Sequence, residues 1–234
     1  MNIKKSVLVI SAHADDHVAC AGTLFKLKAQ GYELYEAVLT DSSEGRDFKD
    51  TSKKAKLNTK VSQMREGELT KASRFLGIKK TFKLNQEDLG LTYSKSLVFE
   101  IVPIIRGVKP EIGIIMNSID WHPDHRETFK LGSEAFKWAG SGVKPDLGDA
   151  WRTPIVLCAE GMMPILPNVL VDITKHASKK AELLAIYTSQ ASPKLINFDA
   201  SLVAIRGYQL RRNNSLNAEA YTTDPTSPII LFEE

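Results

Sequence analysis

Two short runs gather the side chains of this chain that could bind a metal or move a proton. The first holds His13, Asp15, Asp16 and His17, and the second holds His122, Asp124 and His125. Zinc takes imidazole nitrogen and carboxylate oxygen, and a catalytic zinc keeps three protein ligands with one position open for water. His13 and Asp16 supply two such ligands, and His122 or His125 supplies a third. Asp15 is then a carboxylate free to act as general base on the water, and the spare histidine could polarise or protonate the reacting group. These are the parts needed for metal-assisted hydrolysis of an amide. A single His–Asp run is usually a hydrogen-bonded loop, but two at equivalent places in a fold favour a metal.

The surrounding pattern supplies those places. Val7 to Ile10 and Ile112 to Met116 are short apolar runs that read as buried strands. Each is followed directly by one of the polar runs, so both fall at strand carboxyl ends, where open α/β sheets bind ligands. Residues Val18 to Gln30 carry helical spacing with Gly31 as a C-cap, and Glu33 to Thr40 reads as the next strand. That order predicts a right-handed parallel crossover. Further on, the pattern predicts a polar loop over Asp41 to Lys60, a helix over Val61 to Leu76 closed by Gly77, and a strand over Lys80 to Leu84. Helices follow over Ser94 to Val108 and Glu127 to Trp138, then a loop over Gly140 to Trp151. Strands are expected over Ile155 to Glu160 and Val169 to Ile173, with a helix over Lys175 to Tyr187. The rest reads as an irregular tail with a last apolar run at Ile229 to Phe232. No repeat or linker interrupts the chain, so residues 1–234 read as a single α/β domain.

Composition narrows the function. With 31 Lys+Arg against 28 Asp+Glu, the formal charge of +3 gives no support for nucleic-acid binding. The lysine-rich stretch Lys49, Lys53, Lys54, Lys56 and Lys60 reads as a solvated loop, with a mobile lid as the sharper alternative. Two cysteines, Cys20 and Cys158, make neither a disulfide framework nor a CxxC metal site. The N-terminal apolar run is short and meets charge at once, so no signal peptide is expected. No stretch has transmembrane length. A cytoplasmic protein without nucleic-acid or membrane partners is the expectation.

The paired runs resemble the PIG-L/LmbE family of zinc-dependent N-acetylglucosaminyl deacetylases. Ala12-His13-Ala14-Asp15-Asp16-His17 stands where that family has A-H-P-D-D-E, and His122-Pro123-Asp124-His125 is its H-P-D-H motif intact. The likeness runs on through Arg65-Glu66-Gly67-Glu68, the region around Asp88, Val171-Asp172-Ile173-Thr174, Ser189-Gln190, Arg206-Gly207 and Ala218-Glu219-Ala220. The resemblance implies a Rossmann-like three-layer α/β sandwich with a mainly parallel sheet. It implies one Zn2+ per chain, with another divalent ion such as Fe2+ as the alternative. His13, Asp16 and His125 match the metal ligands, and Asp15 matches the base that activates the water at zinc. His122 matches the group that stabilises the oxyanion and protonates the leaving amine, and Asp124 a residue that orients an imidazole. The implied reaction removes acetyl from an N-acetylglucosamine-type sugar or conjugate, and family members are often homo-oligomers.

Four residues are candidates for holding such a substrate. Arg46 and Arg65 suit carboxylate or phosphate recognition, Asp41 suits a sugar hydroxyl, and Trp121 suits a sugar face. Two positions depart from the family. Ala14 replaces proline, which frees one φ angle and removes no reacting atom. His17 replaces glutamate, and could serve as an outer hydrogen bonder or alter metal or substrate preference. A zinc amidohydrolase of a non-sugar amide is the competing enzyme, and a non-catalytic sugar- or nucleotide-binding module the competing class. Against the latter, neither GxGxxG nor a P-loop follows the first strand.

Overall fold

The computed structural model describes residues 5–45, 47–49 and 58–229, with the side chains of 58 and 59 excepted. Seven strands build one sheet: β1 (Ser6–Ser11), β2 (Glu33–Thr40), β3 (Ile78–Gln86), β4 (Ile112–Met116), β5 (Ile155–Ala159), β6 (Val169–Asp172) and β7 (Ala218–Thr223). Their order across the sheet is β3-β2-β1-β4-β5-β7-β6. The pairs from β3 to β5 are parallel, and β7 runs antiparallel to both β5 and β6. The order therefore reverses between β1 and β4, which hydrogen-bond to each other. A crevice at such a switch point is where this kind of sheet takes its ligand, and both polar runs open there.

Among the described residues six α-helices cover the sheet: α1 (Ala21–Ala29), α2 (Asn58–Leu76), α3 (Lys95–Val108), α4 (Pro123–Ala139), α5 (Ala177–Ile186) and α6 (Pro193–Gln209). Alternation along β1 sorts the layers. Val7 and Val9 join a core with Leu24, Leu69, Leu76, Leu183 and Leu184 from α1, α2 and α5. Leu8 and Ile10 join a second core with Ile101, Ile105, Leu131 and Phe136 from α3 and α4. The result is the expected three-layer α/β sandwich with a mainly parallel sheet.

Several expectations need correction. Asp16–Cys20 form a 3-10 turn before α1, so the first helix starts later than its apolar spacing suggested. Gly31 and Gly77 close their helices in the left-handed region, at φ +89° and +78°. The predicted helix over Glu127 to Trp138 begins at Pro123, placing the second motif on the helix itself. His122 is its N-cap and Pro123 occupies the first turn, where a missing N–H costs nothing. The tail is not irregular: Ser192 caps α6, Pro193 opens it, and β7 follows. Of the run Ile229 to Phe232, all but Ile229 lies outside the described residues, as does most of the lysine-rich loop. Among the described residues no helix is long and apolar enough to cross a membrane.

Candidate metal and active site

Asp16 is the centre of the site. Its Oδ2 accepts the His13 backbone N–H at 2.7 Å and stands 3.5 Å from His13 Nδ1. Its Oδ1 stands 3.1 Å from His125 Nε2. One carboxylate thus faces two imidazoles, one delivered by the end of β1 and the other by the first turn of α4. Each imidazole is backed on its far side by a further carboxylate. His13 Nε2 is 3.0 Å from Asp88 Oδ1 and 3.4 Å from Asp124 Oδ2. His125 Nδ1 is 3.1 Å from Asp120 Oδ2, out of line for a full hydrogen bond.

Those carboxylates are themselves fixed. Asp88 Oδ2 accepts from Glu44 N at 2.9 Å, and Asp124 Oδ2 from Leu89 N at 2.8 Å. Asp120 accepts from His122 N and Met162 N. Asp124 is fully buried, and its Oδ1 has no hydrogen-bond partner among the described residues.

The electrostatics follow from this crowding. Burial disfavours charge on His125, but Asp16 and Asp120 outweigh it and raise its pKa to about 9. Burial likewise opposes a charged His13, yet Asp16, Asp124 and Asp88 hold it well above the ordinary imidazole range. The same two imidazoles keep the buried Asp16 carboxyl well below its usual range. His122 behaves oppositely: burial and then the neighbouring His13 and His125 push it down. Its Nδ1 accepts from Asp124 N at 3.2 Å, which leaves Nε2 for other work.

A buried cluster of two imidazoles and one carboxylate, each imidazole backed by a second carboxylate, is the donor chemistry of a divalent transition-metal site. Asp16, set between His13 and His125, offers such donors, and His13, Asp88 and Asp124 also bring one ligand atom each within 4.8 Å of one another. One nitrogen each from His13, His122 and His125 also lie within 4.8 Å of one another, so His122 stands close enough to share the site.

Asp15 lies at the edge of this group, with its side chain 22 % exposed. Its Oδ1 accepts from Arg65 Nη2. Arg65, carried by α2, is 2 % exposed, and Glu68 stands 3.4 Å from its other terminal nitrogen. Its guanidinium also lies 5.6 Å from the Tyr187 ring centroid. Glu68 is held in turn by Ser189 N and Oγ and by Thr188 Oγ1.

His17 points elsewhere. It is fully buried, with Nδ1 2.6 Å from Glu36 Oε1 and Nε2 2.9 Å from the Tyr187 hydroxyl. That hydroxyl donates to Ala14 O, so the His17 edge facing it must donate. The pair His17–Glu36 lies beneath the loop that carries Asp15 and Asp16, and both ring nitrogens are spent there.

Among the remaining candidates, Asp41 directly follows β2 and accepts Ser43 N at 3.1 Å, capping its own turn. It shares a small hollow with Arg65, Lys83 and Asn85. Trp121 is 59 % exposed beside His122, at 5.3 Å between ring centroids. Arg46 lies outside the described residues. Cys20 and Cys158 are buried free thiols. Sequence reasoning gave no role to Asp88, Asp120 or Glu36. The first two are single carboxylates following strands β3 and β4, a signal too common to have singled them out.

Comparison with known proteins agrees with this geometry. The PIG-L family, described as GlcNAc-PI de-N-acetylase, matches residues 8–136, which span both motifs. The diacetylchitobiose deacetylase of Thermococcus kodakarensis is 34 % identical over 198 residues, covering 81 % of this chain and 71 % of that one. Among solved structures, the 4-carboxy-2-hydroxymuconate hydratase of Pseudomonas putida KT2440 superposes with a TM-score of 0.87 at 25 % identity, covering 98 % of this chain and 99 % of that one. The N,N'-diacetylchitobiose deacetylase of Pyrococcus horikoshii, solved with an inhibitor, gives 0.81 at 25 % identity, covering 95 % and 84 %. The chain belongs to the PIG-L family.

Proposed function

We propose that this chain is a metal-dependent N-deacetylase, removing acetyl from an N-acetylglucosamine-type sugar or conjugate. The observation that carries the reading is the Asp16 carboxylate set between His13 and His125, with Asp15 beside it. His13, Asp16 and His125 would hold one divalent ion, Zn2+ by donor type and Fe2+ as the alternative. Such an ion, when bound, supplies Lewis acidity for an amide carbonyl and lowers the pKa of water.

The chain's own residues do the rest. Asp15, oriented by Arg65, takes a proton from the attacking water. His122, held neutral by its surroundings, donates a hydrogen bond from Nε2 to the oxyanion, and the proton that Asp15 took from the water goes to the departing amine. Asp88 and Asp124 hold the His13 ring, and Asp120 faces the far side of His125, which suits second-rank groups at a metal. Trp121, Asp41, Arg65 and Arg46 are the candidates for contacting the sugar or what it carries.

A second reading rests on the hydratase superposition, which spans nearly the whole chain. The same ion site could activate water for addition to an unsaturated acid, since a fold does not fix a reaction. The test is acetate release from a panel of N-acetylglucosamine conjugates by metal-loaded protein, with Asp15→Asn alongside. A fall of about 10²–10⁴-fold in the variant, with metal still bound, is expected for a lost general base. No acetate from any conjugate, together with hydration of a carboxymuconate, would replace the first reading by the second.

A further inference from the structure

A cavity of about 100 Å³ opens from the site beneath α6. It is lined by Asp15, Asp16 and His125 of the site and by Val18, Met116, Leu184, Phe198, Leu202 and Val203. Charged groups do reach the wall, and each of them is paired with a group of opposite sign. Lys180 Nζ donates to Glu219 at 3.0 Å and to Val18 O, and it pairs with Asp199 at 3.2 Å. Glu219 also takes Gly22 N and Thr23 N at 2.8 Å each, capping α1. Glu160 is paired with Arg206 through two nitrogens. Lys180 is already held by two carboxylates, and most of the exposed wall between the pairs is hydrocarbon.

We propose that this cavity is an acyl pocket, so that the enzyme removes not only acetyl but also longer acyl chains from an amine, and removes those faster. The inference rests on the amide-hydrolase reading and names its substrate class. An acetyl methyl would leave most of the space unfilled, and unfilled apolar space forfeits dispersion contacts. An apolar cavity of about 150 Å³ holds the six carbons of benzene, so this one holds roughly four carbons beyond the carbonyl. The carbonyl is presented to Asp15 and the ion ligands while the tail runs under α6. Hydrolysis breaks the C–N bond, the water oxygen ending on the acyl carbon and its proton on the amine, so that a short fatty acid is released.

The test uses metal-loaded protein and glucosamine acylated with chains from acetyl to octanoyl. The ratio kcat/KM should rise roughly fourfold per added methylene as far as pentanoyl. Leu202→Trp, which fills the cavity from a partly exposed position on α6, should return the preference towards acetyl. Leu202→Ala should move the optimum to longer chains, and it keeps the test readable if the bulky variant fails to fold. Pentanoate should also raise the melting temperature more than acetate does, a readout that needs no turnover. Acetyl preferred over every longer chain, or a rise seen only when the amine carries the alkyl group, overturns the acyl assignment. Cleavage of no amide in the series refutes the hydrolase reading itself, whereas acetate release without chain preference refutes the pocket alone.

Discussion

Removing the metal should make this protein less stable as pH rises from 6.5 to 9. In the metal-free cluster burial alone would lower His125, but Asp16 and Asp120 raise it from 6.5 to about 9. A group whose folded pKa is raised binds its proton more tightly when folded. Its contribution is therefore whole below pH 6.5 and lost as pH passes through about 9. A displacement of this size is worth roughly 3 kcal/mol, a large share of the ~5–15 kcal/mol that keeps a domain folded. His13 is displaced in the same direction and adds to the fall. Bound metal reverses the sign, because ligand imidazoles must be neutral and protons compete with the ion. Urea denaturation across this range, with and without chelator, reads both slopes. In His125→Gln the metal-free slope should shrink to what His13 alone provides. A metal-free stability that stays flat or rises over the same range would refute the pairing of these imidazoles with Asp16.

Loading the metal-free protein at neutral pH should release about two protons per ion, one from each imidazole, measurable by titration in weakly buffered solution. Arg65→Met removes the buried cation facing both Asp15 and Glu68, and should cost about 3 kcal/mol by chemical denaturation. The same variant should keep its metal content while hydrolysis falls, since Asp15 loses its orienting partner. His17→Glu, which restores the residue usual in the family, sets a second carboxylate against buried Glu36. It should destabilise by ~3–5 kcal/mol, and adding Glu36→Gln should recover most of the loss. A neutral single variant would mean that the two residues are not paired in solution.

How much of this was legible in the sequence depended on what each residue packs against. β1 and β4 are buried on both faces, so their apolar runs announced them, and the motifs following them marked the switch point without any coordinates. α6 was missed because its inner residues Leu195, Phe198, Leu202 and Val203 line a cavity and are mostly only half-buried. Such a helix shows a thin apolar stripe, and Ser192-Pro193 was its clearest signal. β7 was missed for a different reason: Glu219, its second residue, is buried and spent on Lys180 and the α1 N-terminus. Pattern reading counts a carboxylate as solvent-facing, and here that rule inverts. His17 was legible as a departure but not as a solution, since Glu36 comes from β2 and nothing in the local sequence joins the two.

The site's charge accounts for the density of acids that the motifs alone did not explain. Asp16, Asp88, Asp120 and Asp124 all lie within 3.5 Å of His13 or His125. With neutral imidazoles that group would carry four negative charges in a buried space, which is costly unless balanced. Two protons on His13 and His125 offset half of it, in keeping with the raised pKa of both rings. A divalent ion that displaces those two protons restores the same total charge. The cluster can therefore be empty or filled without changing its net charge, and the outer carboxylates serve both states by holding the rings in place.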